Sequence, residues 1–199
     1  GGRVEWGMGA GWFAPDYEQL GMAMDPPKVR VDRLDESITV MKHLFGDGVT
    51  DHVGEHYRVT GLHGTPTPVQ RPHPPLLVGG AGDRVLGIAA RRAGIVGVAP
   101  SMTTNAIFGE HRELPEAAAD RQIARVRSAA GERYERLELT MVTSAFSVTD
   151  RRDEVLGRIA GQLKLSPADL TRSPHHLIGS VEEICADLEA RRARWDVSY

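Results

Sequence analysis

The chain has one cysteine, Cys185, among 199 residues. A lone thiol excludes an internal disulfide and any zinc site built from several cysteines, and it fits a reducing compartment. No apolar run approaches the roughly 18 residues of a membrane span, and no signal-peptide pattern precedes the first strand-like stretch. A cytoplasmic protein with no membrane contact is therefore expected. Charge of one sign is also lacking, because 24 Lys and Arg face 27 Asp and Glu for a net charge of -3. The cations are dispersed among acids, which leaves no basic face for nucleic acid. Low-complexity segments and sequence-level repeats are absent as well.

What is present is enough apolar sequence, 41% of the chain, to bury a sizeable core. Val4, Trp6 and Met8 alternate with Glu5 and Gly7, which predicts a strand running into the glycine-rich turn Gly9-Ala10-Gly11-Trp12. Residues 13–24 read as a loop or short helix. Asp25-Pro26-Pro27 then supplies a helix N-terminus, and Val31, Leu34, Ile38, Met41 and Phe45 recur at helical spacing up to Gly46. Residues 49–62 read as a small hairpin turning near Val53-Gly54-Glu55, followed by a proline-rich extended approach. His52 and His56 are four apart, as a helical metal pair would be, but strand-forming neighbours and Gly54 argue against a helix, so no metal site is expected.

The chain is organised around residues 75–84, Pro-Leu-Leu-Val-Gly-Gly-Ala-Gly-Asp-Arg. Leu76, Leu77 and Val78 form the continuous apolar run of a strand buried on both faces. Gly79, Gly80 and Gly82 would allow a sharp turn with positive φ and close approach of a ligand. Asp83 is the expected N-cap of a helix whose apolar face carries Val85, Leu86, Ala89, Ala90 and Ala93, with Gly94 closing it. Two readings stay open for this turn: an anion site at a helix N-terminus, or a bare strand-to-helix connection. The Lys-Ser/Thr of a P-loop and the third glycine of a dinucleotide fingerprint are both missing.

Downstream, residues 95–100 predict a third strand, ending at Ala99-Pro100, and Ser101–Asn105 a polar loop beyond it. Pro115–Ala130 predict a helix with Ala119, Ile123, Val126 and Ala130 on one face and Gly131 as its stop. Leu137, Leu139 and Met141, running on to Phe146 and Val148, predict one further strand. After it come a helix carrying Val155, Ile159 and Leu163, a short helix from Ser166-Pro167, and the apolar link Leu177-Ile178-Gly179. Ser180 and Glu183 form a capping box for the last helix, whose buried side is expected to carry Val181, Ile184, Leu188 and Trp195, with Cys185 in the core. Glu182-Glu183 and His175-His176 read as solvated. Alternating strands and helices are the grammar of a parallel α/β fold, which a doubly wound sheet and a barrel both satisfy.

Several of these stretches together resemble one family. Residues 3–12 (Arg-Val-Glu-Trp-Gly-Met-Gly-Ala-Gly-Trp), Arg30-Val-Asp-Arg-Leu-Asp-Glu-Ser, Gly54-Glu-His-Tyr and Pro74-Pro-Leu-Leu-Val-Gly-Gly look like the luciferase-like monooxygenases. Within them the chain most resembles the actinobacterial branch that uses the deazaflavin coenzyme F-420. The resemblance implies a (β/α)8 barrel with its cofactor at the C-terminal strand ends. It places residues 3–9 on the fourth strand, so that residues 1–199 would be a single barrel domain incomplete at both ends, running from the fourth strand to the start of the eighth, with the hairpin as an insertion. Position by position, it implies that Gly9, Ala10, Gly11 and Trp12 lie beside the ring system or ribityl chain. Gly79, Gly80, Ala81 and Gly82 would cradle the phosphate, and Ala99 and Pro100 would line the next strand end. Hydride transfer between F-420 and a small organic substrate, in a homodimer, is the implied function. FMN-dependent monooxygenation is one alternative, and a non-catalytic fragment that binds or dimerises is another. No catalytic acid or base is assigned.

Overall fold

The computed structural model describes residues 2–100, 115–163 and 166–198. In chain order its elements are β1 (Trp6–Met8), α1 (Ala14–Gln19), α2 (Pro27–Leu44), β2 (Val49–Val53), β3 (Arg58–His63), β4 (Leu76–Gly80), α3 (Asp83–Arg92) and β5 (Ile95–Val98). Then follow α4 (Pro115–Ala130), a 3-10 helix (Gly131–Arg136), β6 (Glu138–Met141), β7 (Ala145–Val148), α5 (Arg152–Leu163), α6 (Pro167–Arg172), β8 (His176–Gly179) and α7 (Val181–Trp195). The polar loop expected at Ser101–Asn105 lies outside the described residues.

β1, β4, β5 and β6 form one parallel sheet in that order. Val197 adds a parallel bridge to Leu139, the strand start expected after α7. The fold is thus a partial barrel: consecutive parallel strands, each returned by a helix. Leu76, Val78, Val96, Val98 and Leu139 all face the helices and are almost wholly buried, against Leu86 and Ala89 of α3 and Val126 of α4. Side chains of that size contribute about 1.5–3 kcal/mol each when removed from water, so this layer holds the sheet to its helices.

Because side chains alternate across a strand, the other face carries Gly7, Leu77, Gly79, Ile95, Gly97 and Thr140. The register sets Gly79 beside Gly97 and Gly97 beside Thr140. A Cβ on Gly97 would lie 3.1 Å from the Gly79 Cα, a contact tight enough that a side chain at 97 would push the strands slightly apart. This corrects the reading of the glycine turn. Gly79 and Gly80 belong to β4, and none of Gly79, Gly80 and Gly82 has a positive φ. At Gly80 the space a Cβ would need is taken by Val85 of α3, whose Cγ1 would lie 2.8 Å away, whereas nothing lies within 4 Å of one at Gly82. The helix cap differs too: Gly82 is the N-cap of α3 and Asp83 its first residue, with no side-chain capping bond.

The hairpin β2–β3 forms as expected, and Glu36 of α2 fastens its turn. The Glu36 carboxylate accepts hydrogen bonds from the backbone N–H of His56 (2.9 Å) and Tyr57 (2.8 Å) and pairs with His52 Nε2 at 3.0 Å. Burial by itself would raise this carboxyl, but the bonds from His52, His56 and Tyr57 favour the charged form and prevail. The pKa falls from its ordinary 4.5 to about 2. A carboxyl depressed in the folded state stabilises it above the unfolded pKa and loses that contribution as pH falls through the folded one. Stability is therefore expected to fall from pH 4.5 toward 2 more steeply in the wild type than in Glu36→Gln. Urea midpoints measured across that window check it, and parallel profiles for the two proteins would rule the anchoring out.

The largest departures lie after residue 137. The stretch read as one strand is two, β6 and β7, and β7 leaves the main sheet to pair in parallel with β8, the segment read as a mere link. The break is fixed by His175, whose carbonyl accepts from Ser144 N (2.7 Å) and Ala145 N (3.4 Å). His175 is 5% exposed rather than solvated, and burial pushes its pKa down. Its Nδ1 lies 2.9 Å from the Val142 carbonyl, which the neutral ring satisfies by donating. Gly131 ends α4 with φ +54, as expected of a stop, yet the chain continues at once into the 3-10 helix. On α7 the capping box of Ser180 and Glu183 forms, and Ile184 and Trp195 are buried. Val181 (57%) and Leu188 (48%) are exposed, and so is Cys185. The buried stripe runs Ile184, Arg191 and Trp195, and Cys185, one residue off it, turns outward; Trp195 Nε1 donates to Asp120 Oδ1 of α4 at 2.7 Å. No helix among the described residues is long and apolar enough to cross a membrane.

Candidate functional site

The three groups of residues singled out from the sequence end three adjacent parallel strands. Gly9–Trp12 follow β1, Gly79–Gly82 complete β4 and enter α3, and Ala99-Pro100 follow β5. The topology therefore brings them to one edge of the sheet, the C-terminal one. Gly9 lies beside β4, since a Cβ there would be 3.8 Å from the Gly79 carbonyl oxygen. Trp12 stands apart from this group, 67% exposed and tilted against Phe13 with ring centroids 5.2 Å apart.

Two residues that composition and periodicity did not single out shape the β1 end. Arg30 of α2 donates from Nη1 to the carbonyls of Ala10 (3.3 Å) and Gly11, and from Nε to that of Asp25 (2.9 Å). Gly11 has φ +69, so glycine is favoured there by conformation, and the Tyr17 hydroxyl occupies the space a Cβ would take and would have to shift for any other residue. Between this turn and α2 lies a cleft of about 690 Å³, lined by Met8, Ala10, Tyr17, Arg30, Ser37 and Tyr57 among others.

At the β4 end, the first turn of α3 presents the N–H groups of Gly82, Asp83, Arg84 and Val85. The α-helical pattern gives these no intrahelical acceptor, and among the described residues no side chain caps them. The first intrahelical bond is Leu86 N to the Gly82 carbonyl. The β4–β5 ladder meanwhile runs as far as Ala99 N bonding the Gly80 carbonyl at 3.1 Å. The donors available to an anion thus begin two residues after Gly80 and run to Val85. Arg84 is held by Asp32, and Arg121 bonds Asp83 Oδ1 at 3.0 Å, so the cations around this helix start are in place through ion pairs. Hydrogen bonds and charge from Lys28 and Arg84 outweigh burial in keeping the Asp32 carboxyl below its usual range.

A third unforeseen residue joins the strand ends. Gln122 of α4 is 1% exposed, and its Nε2 donates to both Ala81 O (3.0 Å) and Ala99 O (3.1 Å). The site edge consequently consists of backbone, glycine and alanine, and on the glycine face Leu77 reaches across, its Cδ2 3.5–4.0 Å from where a Cβ on Gly7, Gly79 or Gly97 would stand. The interior of a barrel of this kind is ordinarily filled by bulky branched side chains. Here the face bears Gly7, Gly79 and Gly97 beside Leu77 and Ile95, and the helix start at Gly82, two residues past the strand end, suits a phosphate.

The family model for luciferase-like monooxygenases matches residues 1–195, and the chain belongs to that family. Among curated relatives, the FMNH2-dependent dimethylsulfone monooxygenase of Pseudomonas putida is 29% identical over 91 residues, 46% of this chain and 25% of that protein. An uncharacterised Mycobacterium tuberculosis protein is 36% identical over 94 residues, 47% of this chain and 31% of that one. Among solved structures, an F-420-dependent secondary alcohol dehydrogenase in complex with an F-420–acetone adduct superposes with a TM-score of 0.71 at 16% identity. That match covers 98% of this chain and 62% of the other. The matched stretches are thus a quarter to a third of the curated relatives, and the chain spans less than two thirds of the solved structure.

Proposed function

We propose that these residues form the cofactor-binding part of a deazaflavin-dependent oxidoreductase that acts on a small organic substrate. The observation that carries the proposal is the C-terminal sheet edge, where a glycine face adjoins an uncapped helix N-terminus at the ends of three neighbouring parallel strands. Gly9, Ala10 and Gly11 lie against the ring or its ribityl chain, held by Arg30, with Trp12 at the rim. Ala81 and Gly82 carry the chain into the phosphate cradle, where the N–H groups of Gly82–Val85 and the dipole of α3 favour the anion. Ala99 and Pro100 line the adjoining wall. The coenzyme supplies hydride transfer, and this chain supplies binding, orientation and exclusion of water. A homodimer is part of the same proposal.

The motif resemblance and the fold of the F-420 dehydrogenase favour a deazaflavin. FMN is the second reading, favoured by the name of the Pseudomonas relative. Fluorescence titration of the folded chain separates them. Saturable binding of F-420, at least tenfold tighter than that of FMN, is expected. The opposite order selects the flavin, and a folded chain that binds neither removes both.

A further inference from the structure

We infer that Gln122 is a positioning residue for the proposed cofactor site: it sets the distance between the β4 and β5 strand ends and, through Ala81, the place of the phosphate cradle. The inference rests on the functional reading above and adds a residue to it. Gln122 sits within the apolar stripe of α4, among Ala119, Ile123 and Val126, and is as buried as they are. A buried carboxamide on such a face is costly unless its hydrogen bonds are made. Here both hydrogens of one amide nitrogen are used, one on each of two carbonyls that lie just past the last ladder bond.

The consequence is geometric. The backbone ladder fixes β4 to β5 only as far as the bond from Ala99 N to the Gly80 carbonyl. Beyond it the strands diverge, β4 into α3 and β5 into the residues after Pro100. Gln122 ties Ala81 to Ala99 across that divergence, and Ala81 is one residue before the N-cap of α3. Moving Ala81 therefore moves the N–H groups that would meet a phosphate, while the glycine face of the sheet, fixed by its own ladder, stays where it is. A side chain that only satisfied two carbonyls would affect folding and leave the folded site unchanged.

The test compares F-420 with its deazaflavin chromophore lacking the phosphate-bearing tail, using the full chain. Gln122→Met keeps length and apolar shape but donates nothing. It is expected to bind F-420 at least tenfold more weakly while binding the tail-less deazaflavin as the wild type does. Unfolding curves would be taken in parallel, so that affinity is compared between folded proteins. Equal affinity for F-420, or an equal loss for both ligands, overturns the inference. Gln122→Glu serves if the methionine variant does not fold. Its carboxyl donates one bond when protonated and none when ionised, so its F-420 affinity is expected to strengthen as pH falls, relative to the wild type. A flat pH profile overturns the inference equally. A wild-type chain that binds neither F-420 nor FMN overturns the functional reading and this inference with it, whereas a wild type that binds and a variant that binds equally well overturns the inference alone.

Discussion

Gly64→Ala is expected to destabilise the chain by about 3 kcal/mol, the upper end of what overpacking costs. Gly64 follows β3 and passes directly over the last residue of α2. An added Cβ would lie 1.7 Å from the Leu44 carbonyl oxygen and 2.7 Å from its carbon. Both are backbone atoms, so no rotamer change relieves the contact, and either the helix end or the hairpin must move. The φ of Gly64 is not positive, so the cost is one of space alone. Gly61 provides the contrast: its φ is +61, but nothing lies within 4 Å of an added Cβ. Gly61→Ala should cost only the backbone penalty of the left-handed region, about 1 kcal/mol. Urea denaturation with an unchanged m-value measures both. If the two variants prove equally stable, the close approach of the hairpin to α2 is wrong, and with it the argument that Glu36 fastens the hairpin turn.

The parts of this fold that were legible in the sequence are those that local periodicity encodes. Leu34 and Ile38 at helical spacing marked α2, and Ser180 with Glu183 marked the start of α7, because both signals are complete within a few residues. The single strand read from Leu137 to Val148 failed for a related reason. Alternation reports which face a side chain takes, not which strand it pairs with, and its change of phase between Met141 and Phe146 was the one local sign of the break. What breaks the strand is the His175 carbonyl, which comes from some thirty residues away in the chain. His175 was misread for the same cause. The glycines at 79 and 80 lack the positive φ expected of them, and at Gly80 it is Val85 of α3 that takes the space of a Cβ, a contact that appears only once the helix is packed on β4. Gln122 carried a signal that could have been used. It is three residues after Ala119 and one before Ile123, inside the stripe of a helix that was read correctly, and a polar residue at such a position points to a buried partner. Arg30 had no such signal, because its partners are main-chain carbonyls of another element.

Gly80→Ala is expected to disturb the proposed phosphate cradle through one side chain. A Cβ on Gly80 would lie 2.8 Å from Cγ1 and 3.3 Å from Cβ of Val85, in the first turn of α3. Valine is stiff about χ1, and Val85 is buried, so it cannot swing aside and the helix start must shift away from β4. The expected cost is about 1–3 kcal/mol of stability. If the cradle lies where proposed, F-420 binding should weaken at least tenfold, because the N–H groups of Gly82–Val85 move as a unit. Val85→Ala alone removes two methyl groups from the core and should cost about 1.5 kcal/mol. The double variant is the decisive measurement. With Val85 shortened, the new methyl at position 80 has room, so Gly80→Ala/Val85→Ala should be more stable than the sum of the single losses predicts, by about 1 kcal/mol. Its F-420 affinity should return toward that of the wild type. Additivity of the two stability losses to within about 0.5 kcal/mol would mean that the Gly80–Val85 contact is not what requires glycine at this strand end. Glycine there would then have to be explained by the ligand.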